Sequence, residues 1–371
     1  MPPITIMLKP VSGNCNMCCS YCFYADELKN RSSGSYPAMT QEILERVIRR
    51  AFTYADHHIS FVFQGGEPTL AGVSFFRNFL KLEKKYNSRN LNVNHAIQTN
   101  GLSVSDELMD LFAEGKFLVG VSIDGNREIH DSRRLDHNHQ GTYERVMQTI
   151  GRLKERHIPY NILCVVDNEV ARQPEVCYKQ LKSHGYLQFI ACLEPFGQKD
   201  TVLDPQMYGE FLIRTYQLYA KDFRNNEYVS VSQFDSWLNM MCGYEPGQCG
   251  MTGHCSIHFL IESNGDVYPC DFYALDQYLM GNVQEINFHK MILSDVAKGF
   301  IESSVDYPLQ CKTCPWFSVC RNGCRRDREP IVPGQKLVMN RLCESYSMFF
   351  SKCYEDMKQL AAYKPPNAPR Q

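Results

Sequence analysis

The segment Cys15-Asn-Met-Cys-Cys-Ser-Tyr-Cys22 decides how the rest of this sequence is interpreted. Taken as Cys15-x3-Cys19-x2-Cys22, it places three thiolates in one loop, directly after an apolar run that predicts a strand. A [4Fe–4S] cluster has four irons, so three thiolate ligands leave one iron open to a substrate or cofactor. Catalytic zinc keeps an open position for the same purpose. The segment therefore predicts a catalytic iron–sulfur cluster.

Two other interpretations of this loop stay open. A Cys-x2-Cys pair is also a common zinc-binding arrangement, although zinc takes four ligands and this loop offers no fourth one. The triad could also be drawn as Cys15-x2-Cys18-x3-Cys22, with Cys18 in the place of Cys19.

Short apolar runs alternate with amphipathic stretches over about the first 200 residues. The runs that predict strands are Ile4–Leu8, Ile59–Phe63, His95–Ile97, Leu118–Ile123, Asn161–Val166 and Leu187–Cys192. The predicted helices are Gln41–Ala55, Val73–Tyr86, Ser105–Glu114, Thr142–His157, Pro174–Ser183 and Pro205–Phe223. Strand and helix alternating in this way imply a parallel sheet with right-handed crossovers. The predicted fold class is α/β, a partial (β/α)6 barrel with its chemistry at the carboxyl ends of the strands.

Polar and glycine-rich motifs follow several of the predicted strands. Gln64-Gly-Gly-Glu-Pro68 follows the second strand and Gln98-Thr-Asn-Gly101 the third. Glycine lets the backbone approach a ligand closely. Ser122 and Asp124 end the fourth strand, where a hydroxyl and a carboxylate could hold polar groups of a cofactor. Each of these motifs alone also fits an ordinary turn or strand-end cap.

A second concentration of cysteines lies in the last third of the chain. Cys255-x9-Gly265-x4-Cys270 is followed by Cys311-x2-Cys314-x5-Cys320-x3-Cys324 and then Cys343, and Cys249 precedes Cys255. Eight thiolates suffice for two fully ligated [4Fe–4S] clusters, which would move electrons rather than bind substrate. Two structural zinc sites would need the same number. Short Gly-, Pro- and Cys-rich segments cannot build a large hydrophobic core, so they need bound metal centres to stabilise their fold. We expect domains at 1–235 and 236–371, the second irregular, cysteine-rich and ending in a helix.

Composition restricts the partners and the compartment. The 371 residues include 39 basic and 41 acidic side chains, a net charge of −2 that would attract neither nucleic acid nor an anionic membrane. No apolar run approaches 18 residues and the first residues lack the pattern of a signal peptide, so neither a membrane span nor export is expected. Seventeen cysteines in such a chain favour metal ligation in a reducing, cytoplasmic setting.

The cysteine patterns resemble a known family. The first triad, with Tyr21 before its last cysteine, is similar to the radical S-adenosylmethionine (SAM) signature, and the C-terminal array is similar to the SPASM extension of peptide-modifying radical SAM enzymes. Cys22-Phe-Tyr24, Gln64–Pro68, Val267-Tyr-Pro-Cys-Asp-Phe-Tyr273 and Cys324-Arg-Arg326 resemble the anaerobic sulfatase-maturating enzymes. The resemblance implies oxidation of a Cys or Ser side chain in a sulfatase to formylglycine, with SAM and three [4Fe–4S] clusters as cofactors.

The same resemblance implies roles for individual residues. The catalytic cluster would be held by Cys15, Cys19 and Cys22, the nearer auxiliary cluster by Cys249, Cys255, Cys270 and Cys324, and the distal one by Cys311, Cys314, Cys320 and Cys343. The expected SAM contacts are Tyr21, Gly66, Ser122, Arg134 and Leu193, and Asp271 is the expected base. Expected partners are an unfolded or nascent sulfatase polypeptide and a low-potential electron donor such as ferredoxin or flavodoxin.

Two alternatives to this function are considered. A SPASM maturase that forms thioether or C–C crosslinks in a ribosomal peptide would share the motifs. Such enzymes commonly carry an extra N-terminal recognition domain, whereas the cluster loop here starts at residue 15. A non-catalytic iron–sulfur carrier or zinc-binding adaptor would not need the open-site triad.

Overall fold

The structure is a computed structural model, and it describes residues 3–197, 202–328 and 339–363. The strands of the described residues are β1 Ile4–Leu8, β2 His58–Phe63, β3 Asn92–Thr99, β4 Leu118–Ser122, β5 Tyr160–Val166, β6 Tyr186–Ala191, β7 Ser230–Val231, β8 Leu260–Ile261, β9 Asp266–Tyr268 and β10 Gly281–Asn282. Their helices are α1 Phe23–Lys29, α2 Gln41–Tyr54, α3 Gly72–Tyr86, α4 Asp106–Glu114, α5 Arg127–Asp131, α6 Tyr143–Glu155, α7 Asn168–Ala171, α8 Pro174–Leu181, α9 Pro205–Arg224, α10 Ser232–Met241, α11 Phe288–Ile292, α12 Asp295–Ser304, α13 Leu309–Lys312, α14 Phe317–Cys320 and α15 Cys343–Ala362.

The six predicted strands and six predicted helices are all present, with ends shifted by a few residues. Local sequence explains where several helices begin. Thr40 accepts a hydrogen bond from the Ile43 amide at the start of α2, and Ser105 accepts one from the Leu108 amide at the start of α4. A side-chain oxygen at this position satisfies one of the amides that a helix leaves unpaired.

The chain divides into two compact units that are discontinuous in sequence. The first comprises the chain up to residue 123 together with 130–161 and 256–302, and the second comprises 124–129, 162–255 and the chain from 303 onwards. This division groups residues by compactness. The boundary predicted at residue 235 separates two family domains instead, and it stays a prediction.

The first unit is built on β1 to β4, which pair in parallel and in sequence order. Strand β8 adds to β1 in parallel, and β9 and β10 extend this edge as antiparallel strands. Phenylalanine side chains fill the space between the sheet and helices α3 and α4. The ring of Phe63 meets that of Phe79 edge-on at 4.8 Å, and Phe76 meets Phe112 at 5.5 Å. Such edge-to-face pairs favour a fixed packing beyond the area that they bury.

The second unit contains β5 from Ile162 onwards together with β6 and β7, and these strands pair in parallel. Aromatic side chains of helices α9, α10 and α15 pack against one another in this unit. Trp237 of α10 stacks on Phe349 of α15 at 4.9 Å, and Tyr216 of α9 meets Phe349 at 5.7 Å. Burial of these aromatic rings stabilises the packing of α15 against α9 and α10. None of the helices in the described ranges is long and apolar enough to cross a membrane.

Candidate active site

The cysteine loop follows β1 and pairs with the segment that precedes α6. Met17 and Asp136 form an antiparallel bridge, and the Cys18 amide donates to the Leu135 carbonyl at 2.8 Å. The Ser20 amide donates to the Arg133 carbonyl at 3.1 Å. These backbone bonds fix the cysteine loop against the segment that precedes α6.

The three predicted ligands of the catalytic cluster lie together in this loop. Cys15, Cys19 and Cys22 are half-buried and form no disulfide. Burial raises the pKa of Cys15 to about 12, and the negative charges of Glu67, Cys19 and Cys22 also raise it. Three thiolates this close would repel one another. A bound metal cation offsets this repulsion, because it stabilises the deprotonated form of each thiol that it binds. The arrangement therefore fits an iron–sulfur cluster.

Hydrogen-bond donors point at two of the three sulfurs. Asn100 Nδ2 lies 3.6 Å from Cys15 Sγ, and Arg134 Nη1 lies 3.9 Å from Cys19 Sγ. Donors to the sulfurs of a cluster are a usual means of setting its potential. Cys18, by contrast, is exposed, and its thiol donates to the Asp136 carbonyl at 3.1 Å. This difference supports the choice of Cys19 rather than Cys18.

The described residues contain no group of three or more His, Cys, Asp or Glu side chains placed to hold a single metal ion. The sulfurs around a [4Fe–4S] cluster bind different irons.

The Gln64–Pro68 motif packs directly on the cysteine loop. The Gly66 amide donates to the Ser12 carbonyl at 2.9 Å, and the Glu67 amide donates to the Asn14 carbonyl at 2.8 Å. A Cβ added to Gly66 would lie 2.0 Å from the Asn14 carbonyl oxygen. Glycine is thus required at position 66 by the approach of the cysteine loop itself.

Glu67 joins the ends of β2 and β3, a role that sequence reasoning missed. Its buried carboxylate accepts from the Thr99 hydroxyl at 2.8 Å and from the Asn100 amide at 2.8 Å. It also accepts from the amide and hydroxyl of Thr69. Burial raises the pKa of Glu67, and these donors oppose that shift. Glu67 thereby positions Asn100, the donor to Cys15.

Tyr21 and Arg134, two of the predicted SAM contacts, lie against each other. The guanidinium of Arg134 is 5.3 Å from the Tyr21 ring centre, and that of Arg133 is 4.7 Å from it. Both arginines are buried. Stacked cations hold the ring in one orientation. The Arg134 guanidinium also reaches Cys19, as the distance from Nη1 to Sγ shows.

The other predicted SAM contacts lie at strand ends. Ser122 is buried at the end of β4, and half-buried Leu193 follows β6 in the second unit. The Asp124 carboxylate, which sequence reasoning considered as a further contact, accepts from the Val165 amide of β5 at 2.9 Å. Asp124 therefore supports β5 within the second unit. The roles of Ser122 and Leu193 toward SAM stay predictions.

Asp271, the predicted base, lies in the first unit after β9 and is half-buried. Its Oδ1 is 3.4 Å from Cys270 Sγ. Burial raises the pKa of Asp271, while Cys270, His258 and a hydrogen bond from Gln64 lower it. Burial raises the pKa of Tyr24 on helix α1, and the negative charges of Asp271, Glu27 and Cys22 add to this shift, so all three groups lie near that phenol. The phenyl rings of Phe23 and Phe272 meet at 5.0 Å and fix the turn against α1.

The remaining predicted ligands form two sets of neighbours in the second unit. Burial raises the pKa of Cys320 to about 12, and Cys343, Cys314 and Cys311 add to it. Burial also raises the pKa of Cys324, with Cys249 and Cys255 among its negative neighbours. Each set matches one of the predicted auxiliary sites, apart from Cys270, which belongs to the first unit. These thiols fit iron ligation for the same reason as the first triad.

His137 is a further residue that sequence reasoning missed. Its Nε2 is 2.8 Å from the Cys15 carbonyl oxygen, an acceptor, so this nitrogen carries the proton. Glu67 and Asn100 belong to the motifs noted at the ends of the second and third strands. His137 belongs to no motif that the sequence reveals. The bridge between Met17 and Asp136 brings it to the cysteine loop.

Comparison with known proteins agrees with this site. Residues 10–180 match the model of the Radical SAM superfamily, and residues 251–315 match that of an iron–sulfur cluster-binding domain, SPASM. The fold and the site thus define a radical SAM enzyme with a SPASM extension, as the sequence predicted.

Relatives narrow this class. The chain is 43% identical over 358 residues to a cysteine-type anaerobic sulfatase-maturating enzyme of Clostridium novyi, covering 95% of this chain and 96% of that one. It is 30% identical to the serine-type enzyme of Bacteroides thetaiotaomicron, covering 94% and 89%. The solved structure of native anSMEcpe with bound AdoMet and the Cp18Cys peptide superposes with a TM-score of 0.92 at 37% identity, covering 97% and 99%. The chain belongs to the anaerobic sulfatase-maturating enzymes, radical SAM enzymes that use SAM and iron–sulfur clusters.

Proposed function

We propose that this enzyme oxidises a cysteine side chain of a sulfatase polypeptide to formylglycine. The observation that carries the proposal is the contact of the Phe23 and Phe272 rings at 5.0 Å, because these residues directly follow Cys22 and Asp271 and their contact brings a proton acceptor near the cysteine loop. Cysteine is the proposed preferred substrate residue, and serine the slower one. The cysteine-type relative is 43% identical, and the serine-type relative is 30% identical.

Cys15, Cys19 and Cys22 would hold the catalytic cluster, with Tyr21, Gly66, Ser122, Arg134 and Leu193 around SAM. The eight C-terminal cysteines, as assigned from the sequence, would hold two auxiliary clusters. When bound, these groups supply the 5′-deoxyadenosyl radical that removes a hydrogen atom from Cβ and the acceptor for the second electron.

Asp271 supplies the base. Loss of a hydrogen atom from Cβ acidifies the neighbouring thiol, and oxidation to a thioaldehyde requires that thiol to lose a proton as one more electron departs. A carboxylate whose pKa is raised by burial accepts this proton more readily than an exposed one does. The hydrogen bonds that Asp271 accepts from Cys270 and Gln64 favour its ionised form, the form that accepts a proton. Water then adds to the thioaldehyde, and hydrogen sulfide leaves to give the aldehyde.

The remaining partners and setting follow from this chemistry. An extended, unfolded or nascent sulfatase segment is the proposed substrate, because a cysteine in a folded core could not reach the site. A low-potential donor such as ferredoxin or flavodoxin would supply the reducing electron. The proposed compartment is the cytoplasm, where eleven ligand thiols stay reduced.

The test is anaerobic incubation of the reconstituted enzyme with SAM, dithionite and two matched peptides, one containing Cys-x-Pro-x-Arg and the other Ser-x-Pro-x-Arg. Mass spectrometry should find the same aldehyde product from both peptides, formed faster from the cysteine peptide. A peptide in which alanine replaces the cysteine controls for uncoupled SAM cleavage. Cleavage of SAM without aldehyde in either peptide, or a crosslinked product, would contradict the proposal.

A further inference from the structure

Three consecutive main-chain carbonyls after β6 each accept a hydrogen bond from a side chain. Arg341 Nη2 donates to the Cys192 carbonyl at 2.5 Å, and Arg326 Nη2 donates to the Glu194 carbonyl at 2.6 Å. The Cys192 thiol donates to the Leu193 carbonyl at 3.8 Å. The backbone on both sides of Leu193 is therefore held by side chains, two of them from the cysteine-rich C-terminal segment.

Arg341 is held in place by a set of acceptors that matches its planar fork. Its Nε lies 3.0 Å from Asp327 Oδ1, and its Nη1 lies 3.5 Å from Glu194 Oε1. The Arg341 amide also donates to the Asp327 carbonyl at 2.8 Å. One guanidinium thus joins a carbonyl and two carboxylates, which a lysine ammonium on its flexible stem cannot do in the same geometry.

Arg326 reaches the same loop from the turn after Cys324. It is 5% exposed, and its guanidinium lies 4.0 Å from the Phe196 ring centre. Its amide donates to Cys324 Sγ at 3.4 Å, so the Arg326 backbone is tied to a proposed cluster ligand. Arg326 makes one hydrogen bond and one cation–π contact with the loop, both of which a lysine can approximate.

We propose that Arg326 and Arg341 are positioning residues for SAM. They hold the loop of residues 192–197, which contains Leu193, in the conformation that binds SAM. They also connect this loop to the C-terminal segment that carries Cys324 and Cys343. The inference rests on the proposed function, which assigns Leu193 to SAM and Cys324 and Cys343 to the clusters. A loop that is already ordered loses less conformational freedom when a ligand binds. The two arginines therefore raise the affinity for SAM without contacting it.

The test measures SAM affinity directly, without peptide substrate. Anaerobic equilibrium dialysis of the reconstituted enzyme would compare wild type with Arg341→Lys, Arg341→Gln, Arg326→Lys and Arg326→Gln. We expect about tenfold weaker binding for either Arg341 variant and for Arg326→Gln, but only a small loss for Arg326→Lys. Hydrogen exchange of the amides in 192–197 should rise in the weakened variants, with iron content unchanged.

Two control variants make the outcome decisive. Arg224→Lys removes an arginine of α9 that pairs with Asp356 at 2.6 Å in the same unit, and it should leave SAM affinity unchanged. Leu193→Ala should weaken SAM binding directly. Wild-type affinity in Arg341→Gln together with weak binding in Leu193→Ala would overturn the proposal.

Other results also overturn it, for different reasons. Iron lost in parallel with SAM affinity would show that the arginines only maintain the fold. Raised exchange with normal SAM affinity in both Arg341→Gln and Leu193→Ala would show that the loop is braced but does not bind SAM, so the assignment of Leu193 would fail. Aldehyde formation enters none of these measurements, so failure of the proposed peptide reaction is distinguishable.

Discussion

Cys270 Sγ and Asp271 Oδ1 lie 3.4 Å apart in consecutive residues after β9. If Cys270 binds an auxiliary cluster, as the sequence predicts, this contact places a proton acceptor beside an electron acceptor. The oxidation must release one proton and one electron after the hydrogen atom has gone. A single short turn would then receive both.

Asp271→Asn tests whether the proton goes to this carboxylate. The amide keeps the shape of the side chain but cannot accept the proton, so we expect normal iron content and SAM cleavage with little or no aldehyde. Deuterium from a Cβ-labelled peptide should still appear in 5′-deoxyadenosine, because hydrogen abstraction precedes the step that is lost.

Asp276→Asn is the matched control for this variant. Asp276 is an exposed carboxylate five residues further on, and it accepts hydrogen bonds from the amide and hydroxyl of Ser32. Its replacement should leave aldehyde formation unchanged. Near-normal aldehyde yield from Asp271→Asn with intact clusters would remove Asp271 from the mechanism.

The choice between Cys18 and Cys19 as a cluster ligand is testable by iron analysis. Three [4Fe–4S] clusters correspond to about 12 iron atoms per reconstituted chain. Cys19→Ala should lower iron toward about eight atoms and abolish SAM cleavage. Cys18→Ala should lower neither, because Cys18 is exposed and its thiol donates to a carbonyl. The reverse pattern would establish the Cys15-x2-Cys18-x3-Cys22 alternative.

Gly66→Ala tests the packing of the Gln64–Pro68 motif on the cysteine loop. A Cβ would lie 2.0 Å from the Asn14 carbonyl oxygen, and backbone cannot move aside as a flexible side chain can. We expect displacement of the loop, loss of about four irons and loss of SAM cleavage. Iron and SAM cleavage are the two measurements.

Gly151→Ala provides the comparison for Gly66. Gly151 lies within α6, and a Cβ there would meet nothing within 4 Å. Alanine in a helix interior is favoured over glycine, so the thermal midpoint should hold or rise while iron stays constant. Equal iron loss in both variants would mean that the loop does not depend on Gly66.

The sequence was sufficient for those parts of the fold and site that rest on local patterns. The period of the apolar residues located β1 and α4, and cysteine spacing grouped the thiols of the first loop and of Cys311–Cys343. Sequence could not reveal partners brought together by the fold. Arg134 and Cys19 are 115 residues apart, and their contact depends on the bridge between Met17 and Asp136. Strands β8 to β10 have two or three residues each, too few to show a period.

A buried charge cluster in the first unit gives a prediction about pH. Lys9 Nζ lies 2.7 Å from Glu262 Oε1 but 3.9 Å from Glu27 Oε2, so Glu262 is its principal partner. Arg31 also pairs with Glu262, at 2.6 Å. Glu27 is 1% exposed, and burial raises its pKa to about 8 despite the charge of Lys9. In the unfolded chain a glutamate titrates near its ordinary pKa of about 4.3.

The direction of the effect follows from proton binding. Between about pH 4.3 and pH 8 the folded protein holds a proton on Glu27 that the unfolded chain has released. Stability from this group is therefore complete below the unfolded pKa and is lost as pH rises through the folded one. The linkage slope is about 1.4 kcal/mol for each pH unit, so the contribution falls by about 2 kcal/mol between pH 6 and pH 8.

Glu27→Gln removes this dependence, because the amide keeps the acceptor for the Ala274 amide at 3.3 Å but does not titrate. The thermal midpoint of the variant should therefore rise relative to wild type as pH increases from 6 to 8, measured anaerobically on reconstituted protein. Glu45→Gln is the control, since Glu45 pairs with Lys85 at 2.7 Å on the surface and its pKa is lowered. It should show no such rise. Parallel midpoint curves for wild type and Glu27→Gln across this range would show that Glu27 is already ionised in the folded enzyme at pH 6.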